Sequence, residues 1–525
     1  MDFHAAGIFS RSVTLELENE YAYQTPEDYE IRVNGETALI SNRNVISLFG
    51  LLPETSYEIE LCYAKEVVKK SITTGPESFL ISVRDTGARG DGVSNDTAAI
   101  QAAISACPEG GTVVIPEGVY LTGPIFLKSR FTLWLEEGAV LLGDPDRNNY
   151  PVLPGIIRAS EDFSREFSAS SWEGNPLSSF ASLITGIGVS DVDIIGEGVL
   201  DGNAGASDWW VDVRNKRGAW RPKSIFLNHC SRIRIQKLQV RNSPSWTIHP
   251  YYSDSISFMD MEIHNPDNSP NTDGIDPESC SNVEILGVRI SVGDDCIALK
   301  SGKLYMGISH YKPSEHITIR NCHLQRGHGA VTLGSEVACG IFDLRVERCI
   351  FTETDRGLRV KTRRGRGKRS VLDDIRVENV RMENVHMPFT VNMFYFCDPD
   401  GHTSYVQDQN PMPVTDKTPR IVSLILKNIE CEGVGASFVC VYALPEMPVD
   451  KISLENIHVS FLPEEQRIKE VPIMMDNFPA MEGKSMYIRN LKSLELKGVT
   501  ILGSADEEPE LIGVEDRKIE GLTYA

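Results

Sequence analysis

One short apolar pattern recurs down the middle of the chain. Two apolar residues separated by one position are followed by a third, five places after the first. It appears as Ile233/Ile235/Leu238, Ile256/Phe258/Met261, Val283/Ile285/Val288 and Ile317/Ile319/Cys322. It continues as Leu344/Val346/Cys349, Ile375/Val377/Val380, Leu424/Leu426/Ile429 and Ile452/Leu454/Ile457. The alternation is that of a strand with one buried face. The first members lie 23, 27, 34, 27, 31, 49 and 28 residues apart, so the differences fall in loops. Units of this length that each bury one face stack into a solenoid. The expected core is a ladder of aligned strands, a parallel β-helix.

The flanks of the ladder differ from it. Residues 1 to about 78 carry short alternating segments such as Val13–Leu17 and Tyr57–Leu61, which read as half-buried strands. The run from Leu51 to Tyr57 resembles the L-x-P-x-T-x-Y signature of fibronectin type III domains, whose tyrosine makes a corner hydrogen bond. Thr73-Thr74-Gly75-Pro76 reads as a linker. A glycine-rich turn at 85–92 then precedes a helix-like stretch, 95–104, with Asn95 or Asp96 as cap and Ile100 and Ile104 on one face. Such a helix suits the open end of a solenoid, where it hides strand edges, and Gly110–Tyr120 reads as the first coil. The fold class is therefore all-β, a small fibronectin type III-like β-sandwich over 1–78 followed by the β-helix over 79–525. Three stretches without the pattern, about 143–180, 203–221 and 398–419, are expected to be loops shaping one face.

Composition narrows the functional classes. Hydrophobic content of 41% and charged content of 24% are those of a globular protein. A net charge of −22 argues against a general nucleic-acid partner, because phosphate contacts need a basic face. The N-terminal stretch lacks a basic region followed by a long apolar run, so no signal peptide is expected, and no apolar run is long enough for a membrane helix. The eleven cysteines include no CxxC pair and are expected to be buried free thiols in a reducing, cytoplasmic setting.

Four clusters carry the chemistry: Asn271-Thr272-Asp273, Gly293-Asp294-Asp295-Cys296, Gly327-His328-Gly329 and Arg359-Val360-Lys361. Asp294 and His328 each fall eleven residues after the first member of their repeat, Asp273 and Lys361 seventeen, and Arg359 fifteen. All therefore belong to the strand or turn after the marker strand, on one side of the solenoid, with successive coils roughly 4.8 Å apart. Arg359 and Lys361 share a strand face. Asp294 and Asp295 can share a site only if the chain bends there, which Gly293 permits. Clustered carboxylates with an imidazole and two fixed cations suit acid–base cleavage of an acidic sugar chain.

These motifs, in this order, closely resemble the polygalacturonase family (glycoside hydrolase family 28), over about residues 80 to 500; the extension of the GHG motif to Ser335 is also similar. The resemblance implies a right-handed parallel β-helix and hydrolysis of α-1,4-galacturonosyl bonds with inversion. By position it implies Asp294 as general acid, Asp273 and Asp295 as the pair that activates water, and His328 as support for the acid's proton. Arg359 and Lys361 would bind a galacturonate carboxylate next to the scissile bond, with Asn271 and His249 near the sugar. An inverting pair is expected about 6.5–9.5 Å apart. No metal and no cofactor are expected.

Further expectations concern the surroundings. Seven cations between Arg359 and Arg369, among them Arg363, Arg364 and Arg366, suggest a positive mouth that offsets repulsion of a polyanion. Trp246 reads as core, and Tyr395 within Phe394–Phe396 as either a platform or packing. The N-terminal module and the loops resemble exo-acting bacterial relatives, which implies release of single galacturonate units. Rhamnogalacturonan or xylogalacturonan hydrolysis, a calcium-dependent pectate lyase, and a non-catalytic adhesin on the same solenoid are the competing readings.

Overall fold

The computed structural model describes residues 1–158 and 166–525. From Leu80 onward the chain coils into a parallel β-helix, each turn adding strands that pair with the turn before. The marker strands align as the pattern requires: Ile233 pairs with Ile256, Ile256 with Val283, Val283 with Ile317 and Ile317 with Leu344. The same column continues through Ile375, Leu424, Ile452 and Leu494. Leu238, Met261, Val288, Cys322 and Cys349 are fully buried in one continuous core.

The backbone explains why the third apolar residue comes at five rather than four. The residue just before it is left-handed in each coil: Lys237, Asp260, Gly287, Asn321, Arg348, Asn379, Asn428 and Asn456 have φ between 51° and 66°. One such residue turns the chain and reverses the in–out alternation, so the next inward position slips by one. Asn428 also donates to the Asn379 side chain and accepts from Asn456, both at 2.8 Å.

The helix Thr97–Ala106 closes the N-terminal end, burying Ile100, Ala103 and Ile104 against the first coil. Asn95 Oδ1 accepts from the Thr97 N–H, whereas Asp96 turns back to accept from Arg89 and Gly90 in the glycine-rich turn. At the other end the strand Glu510–Tyr524 lies along Lys484–Leu502.

The N-terminal module has a three-stranded and a four-stranded antiparallel sheet, made from residues 2–73, around its own core. The Tyr57 hydroxyl accepts from the Leu52 N–H at 2.8 Å, the corner contact that the motif implied. The module is pressed against the solenoid wall. Phe9 and Val45 pack on Ile195, Met259 and Leu286. Glu16, 2% exposed, accepts from Arg320, Asn321 and Arg348 of two neighbouring coils. The 73–76 segment is packed too, with Gly75 N–H donating to Phe9 C=O at 2.9 Å.

The segments expected as loops rise around one face. Described parts of 143–180 form two short antiparallel strand pairs, while 159–165 lie outside the described residues. Tyr150 and Phe180 pack on Trp209 and Ala219 of the second loop, and the third, 398–419, carries the short helix Ser404–Gln407.

Candidate active site

Consecutive coils deliver the four clusters to one place. Asp273 precedes Ile275, which bridges Ile248 and Ile297. Asp295 precedes the strand Ile297–Leu299, His328 precedes Val331–Leu333, and Arg359 and Lys361 lie in Arg356–Lys361, all in one column of parallel pairs. The turns are sewn together by their backbones. Gly274 N–H donates to Asp295 C=O, Cys296 N–H to Gly329 C=O and His328 N–H to Asp294 C=O, at 3.0, 2.8 and 3.0 Å.

This close nesting accounts for the glycines in the motifs. A Cβ on Gly293 would stand 2.6 Å from Ser269 C=O, one on Gly327 2.6 Å from Asp294 C=O, and one on Gly329 2.8 Å from Asp295 Oδ1. The chain bends at Gly293-Asp294, and both aspartates line the same cavity. One carboxylate oxygen from each of Asp273, Asp294 and Asp295 lies within 4.8 Å of the other two.

The three carboxylates are treated differently by their surroundings. Asp295, 1% exposed, accepts from Arg359 Nη1 at 3.0 Å and Lys361 Nζ at 2.7 Å. Burial would raise its pKa, but Lys361 and Arg359 outweigh burial and hold it well below the usual carboxylate range. Asp273 is pushed well above that range by burial and then by Asp276 and Asp294. Asp294 is half-buried, at the junction between the inner cavity and a wider outer cleft. The two cations thus keep Asp295 ionised, while Asp273 is costly to ionise and is opposed in this by the Lys300 ammonium 3.6 Å away. His328 is exposed at the same junction; its Nδ1 lies 2.7 Å from Asp355 Oδ2, which raises the imidazole pKa against the effect of burial.

The inner cavity, of about 320 Å³, is further lined by Trp246, Asn271, Lys300, Tyr395 and Met474. Lys361 Nζ sits 5.4 Å from the Tyr395 ring centre, so Tyr395 is wall, whereas Phe394 is fully buried against Tyr442. Trp246 is 5% exposed and edges the cavity, with Lys300 Nζ 4.4 Å from its ring centre. Asn271 is held by Arg221, which donates to its Oδ1 at 2.5 Å. The outer cleft, of about 1010 Å³, has Trp172, Trp220 and Phe396 among its walls. Loops close the inner end. Lys303 N–H donates to Gly174 C=O and Lys303 Nζ pairs with Asp398, both at 2.8 Å.

Two expectations are corrected. His249 does not line the sugar site: it is fully buried beneath Trp246, with Nε2 2.9 Å from Glu278 Oε2. Arg363, Arg364 and Arg366 do not form a positive mouth, because each is under 5% exposed and paired with an acid. Arg363 pairs with Asp400, Arg364 with Glu446 and Arg366 with Asp398, at 2.6, 2.6 and 2.8 Å. The run folds under the 398–419 loop, so its charge is neutralised locally.

The motifs also left residues unseen. Lys300, Asp276, Glu336 and Asp355 all touch the cluster, yet none of them lies in the four motifs. The three aspartates have spacing that a cation could use. Their donor set does not favour one, since both Asp295 oxygens are taken by cations and Lys300 lies 3.6 Å from Asp273.

Acids, imidazole and cations gathered in a groove of a parallel β-helix define a polysaccharide-cleaving glycosidase. Two family models match the chain, "Glycosyl hydrolases family 28" over residues 160–478 and "Rhamnogalacturonase A/epimerase, pectate lyase-like" over 80–175. The chain belongs to glycosyl hydrolase family 28. A probable polygalacturonase of Vitis vinifera is 33% identical over 395 residues, 74% of this chain and 75% of that protein. An exo-poly-alpha-D-galacturonosidase of Dickeya chrysanthemi is 26% identical over 394 residues, 67% and 63% of the two chains. The solved family 28 exopolygalacturonase of Yersinia enterocolitica shares the fold, with a TM-score of 0.71 at 19% identity, covering 99% of this chain and 98% of that one.

Proposed function

We propose that this enzyme hydrolyses α-1,4-galacturonosyl bonds of galacturonan from chain ends, releasing single galacturonate units. The observation that carries this is the trio Asp273, Asp294 and Asp295, within 4.8 Å of one another and faced by Arg359 and Lys361. Two fixed cations beside the acids suit a uronic acid rather than a neutral sugar. Asp294, open to the outer cleft, gives its proton to the glycosidic oxygen as the bond from that oxygen to the anomeric carbon breaks. The attacking water forms the new bond to that carbon and passes its proton to the Asp273–Asp295 pair.

Inversion enters this proposal from the family. The 4.8 Å limit is between nearest oxygens and is tighter than the roughly 6.5–9.5 Å of an inverting pair. Relatives carry both exo- and endo- names, so end attack is argued from the loops. Glu173 and Asp398 wall the inner cavity, whose small volume suits one terminal sugar. Chromatography of products from polygalacturonate and trigalacturonate tests this: monomer from the first minutes is expected, and a ladder of intermediate oligomers would overturn end attack. NMR of the first-formed anomer tests inversion. A reducing, cytoplasmic setting is proposed as well, supported by eleven free cysteines, nine of them buried; cell fractionation checks it.

A further inference from the structure

Beneath the catalytic trio lies a second layer of charge that the reaction, as written, does not use. Lys300 follows the strand Ile297–Leu299, and its side chain is 4% exposed. Its ammonium stands 3.6 Å from Asp273 Oδ2, 3.4 Å from Asp276 Oδ1 and 3.5 Å from Glu336 Oε2. Three acids thus share one cation, none of them at close hydrogen-bond range. Asp276 is fully buried, and neither of its oxygens has a hydrogen-bond partner among the described residues; Asp273 Oδ1 has none either. Asp273 and Asp276 flank Ile275 in one turn, so their charges cannot move apart.

We propose that Lys300 and Asp276 are positioning residues that set the protonation of Asp273 by opposition, Lys300 favouring its ionised form and Asp276 its protonated form. The inference rests on the reading of Asp273 as a water-activating carboxylate. A buried carboxylate beside a second one is costly to ionise, and a single ammonium between them partly offsets that cost. The same balance appears in the directions of titration. Asp276 is itself raised to about 7 by burial, against the pull of Lys300, and Lys300 is held well above its ordinary value by Glu336 and the two aspartates, against burial. Glu336 is kept at about 2, burial being outweighed by Lys300, Lys303 and Arg366, and so remains a fixed negative anchor for the ammonium.

Other charges also face Asp273. Asp294 and Asp295 come from the next coil, and Arg221 from the segment that holds Asn271. The Cys296 thiol lies beneath and stays protonated, because burial raises it. None of these is itself substituted below; Lys300 also lowers the Asp295 pKa, so Lys300→Met is read together with Asp276→Asn and the double variant.

The test is the pH profile of kcat/KM on trigalacturonate for Asp276→Asn, Lys300→Met and the double variant, each checked for folding by circular dichroism. The acid limb should move to lower pH in Asp276→Asn and to higher pH in Lys300→Met. Each shift should be about one pH unit, a roughly tenfold rate change on the limb. The double variant should return towards the wild-type profile, and its restored charge balance keeps the test open if Lys300→Met alone does not fold. Shifts of the same sign, or unmoved limbs with only a lower melting temperature, would show a merely structural role and sink the inference. Asp273→Asn separates the two readings. Full turnover there would remove Asp273 from the chemistry, whereas an inactive Asp273→Asn with unmoved limbs in the others would leave the chemistry and reject only the tuning.

Discussion

Glu16 and Asp295 are both buried carboxylates gripped by two cationic side chains of the solenoid. Arg320 and Arg348 hold Glu16, with Asn321 completing the set; Arg359 and Lys361 hold Asp295. The difference lies in what surrounds each grip. Around Glu16 every oxygen has a donor, and the cluster joins the N-terminal module to the coils. Around Asp295 the neighbouring acids are left with bare oxygens, at Asp273 Oδ1 and on both sides of Asp276. Buried polar groups are normally satisfied, and their exceptions mark places where a ligand or a proton is to be handled. The first cluster fastens the N-terminal module to the coils, and the second borders the cavity.

The largest effect should separate these roles in activity. Asp295→Asn is expected to lower kcat/KM by about 10²–10⁴-fold, as for loss of a positioned acid or base, while the protein remains folded. Near wild-type turnover would erase the contrast with Glu16. The converse change, Glu16→Gln, should cost about 3–5 kcal/mol of stability, because it leaves Arg320 and Arg348 short of a buried partner. Urea unfolding measures this, and kcat of the folded protein should be unchanged; a loss of activity without a loss of stability would reverse the assignment.

Arg364 belongs with Glu16 despite lying three residues past Lys361 of the cavity wall. Arg364→Met strands Glu446, which has a 4% exposed side chain, and is expected to destabilise by about 3 kcal/mol. The salt dependence of KM should stay as in the wild type; a clear change would restore an electrostatic role for the basic run. The smallest effect is expected at the edge of the site. Asp355 raises the His328 pKa by its hydrogen bond, so Asp355→Asn lets it fall. The imidazolium is then lost at lower pH, and the basic limb of kcat should move down by less than about one unit, under tenfold in rate. An unmoved basic limb would detach His328 from the acid's proton.

How far the molecule could be read in advance follows from what kind of signal each part carries. The ladder was legible because apolar side chains must face inward on every coil. The charged groups gathered at the cavity were legible because they come in contiguous motifs, whose glycines are forced by the close approach of neighbouring turns. Lys300 and Asp276 were not, because the meaning of a single charge depends on which coil lies above it. His249 and the arginines after Lys361 were misread for the same reason. A charged residue near a motif says nothing about which way its strand turns it, or which acid a distant loop brings down on it. The left-handed corners are only partly marked: Gly287, Asp260 and four asparagines are residue types that favour that conformation, whereas Lys237 and Arg348 are not.

The backbone stitching between turns has a consequence for how such a chain can change over time. Corners can lengthen, as the 49-residue gap between two repeats shows, without displacing any reactive atom, because register is held by the paired strands and not by the connections. A single residue inserted within Arg356–Lys361 would do the opposite. It would swap the two sides of the strand, sending the guanidinium and ammonium into the hydrocarbon interior and Val360 into the groove. Novelty in this architecture therefore has room at the rim, while the catalytic rungs are held to an all-or-nothing alignment.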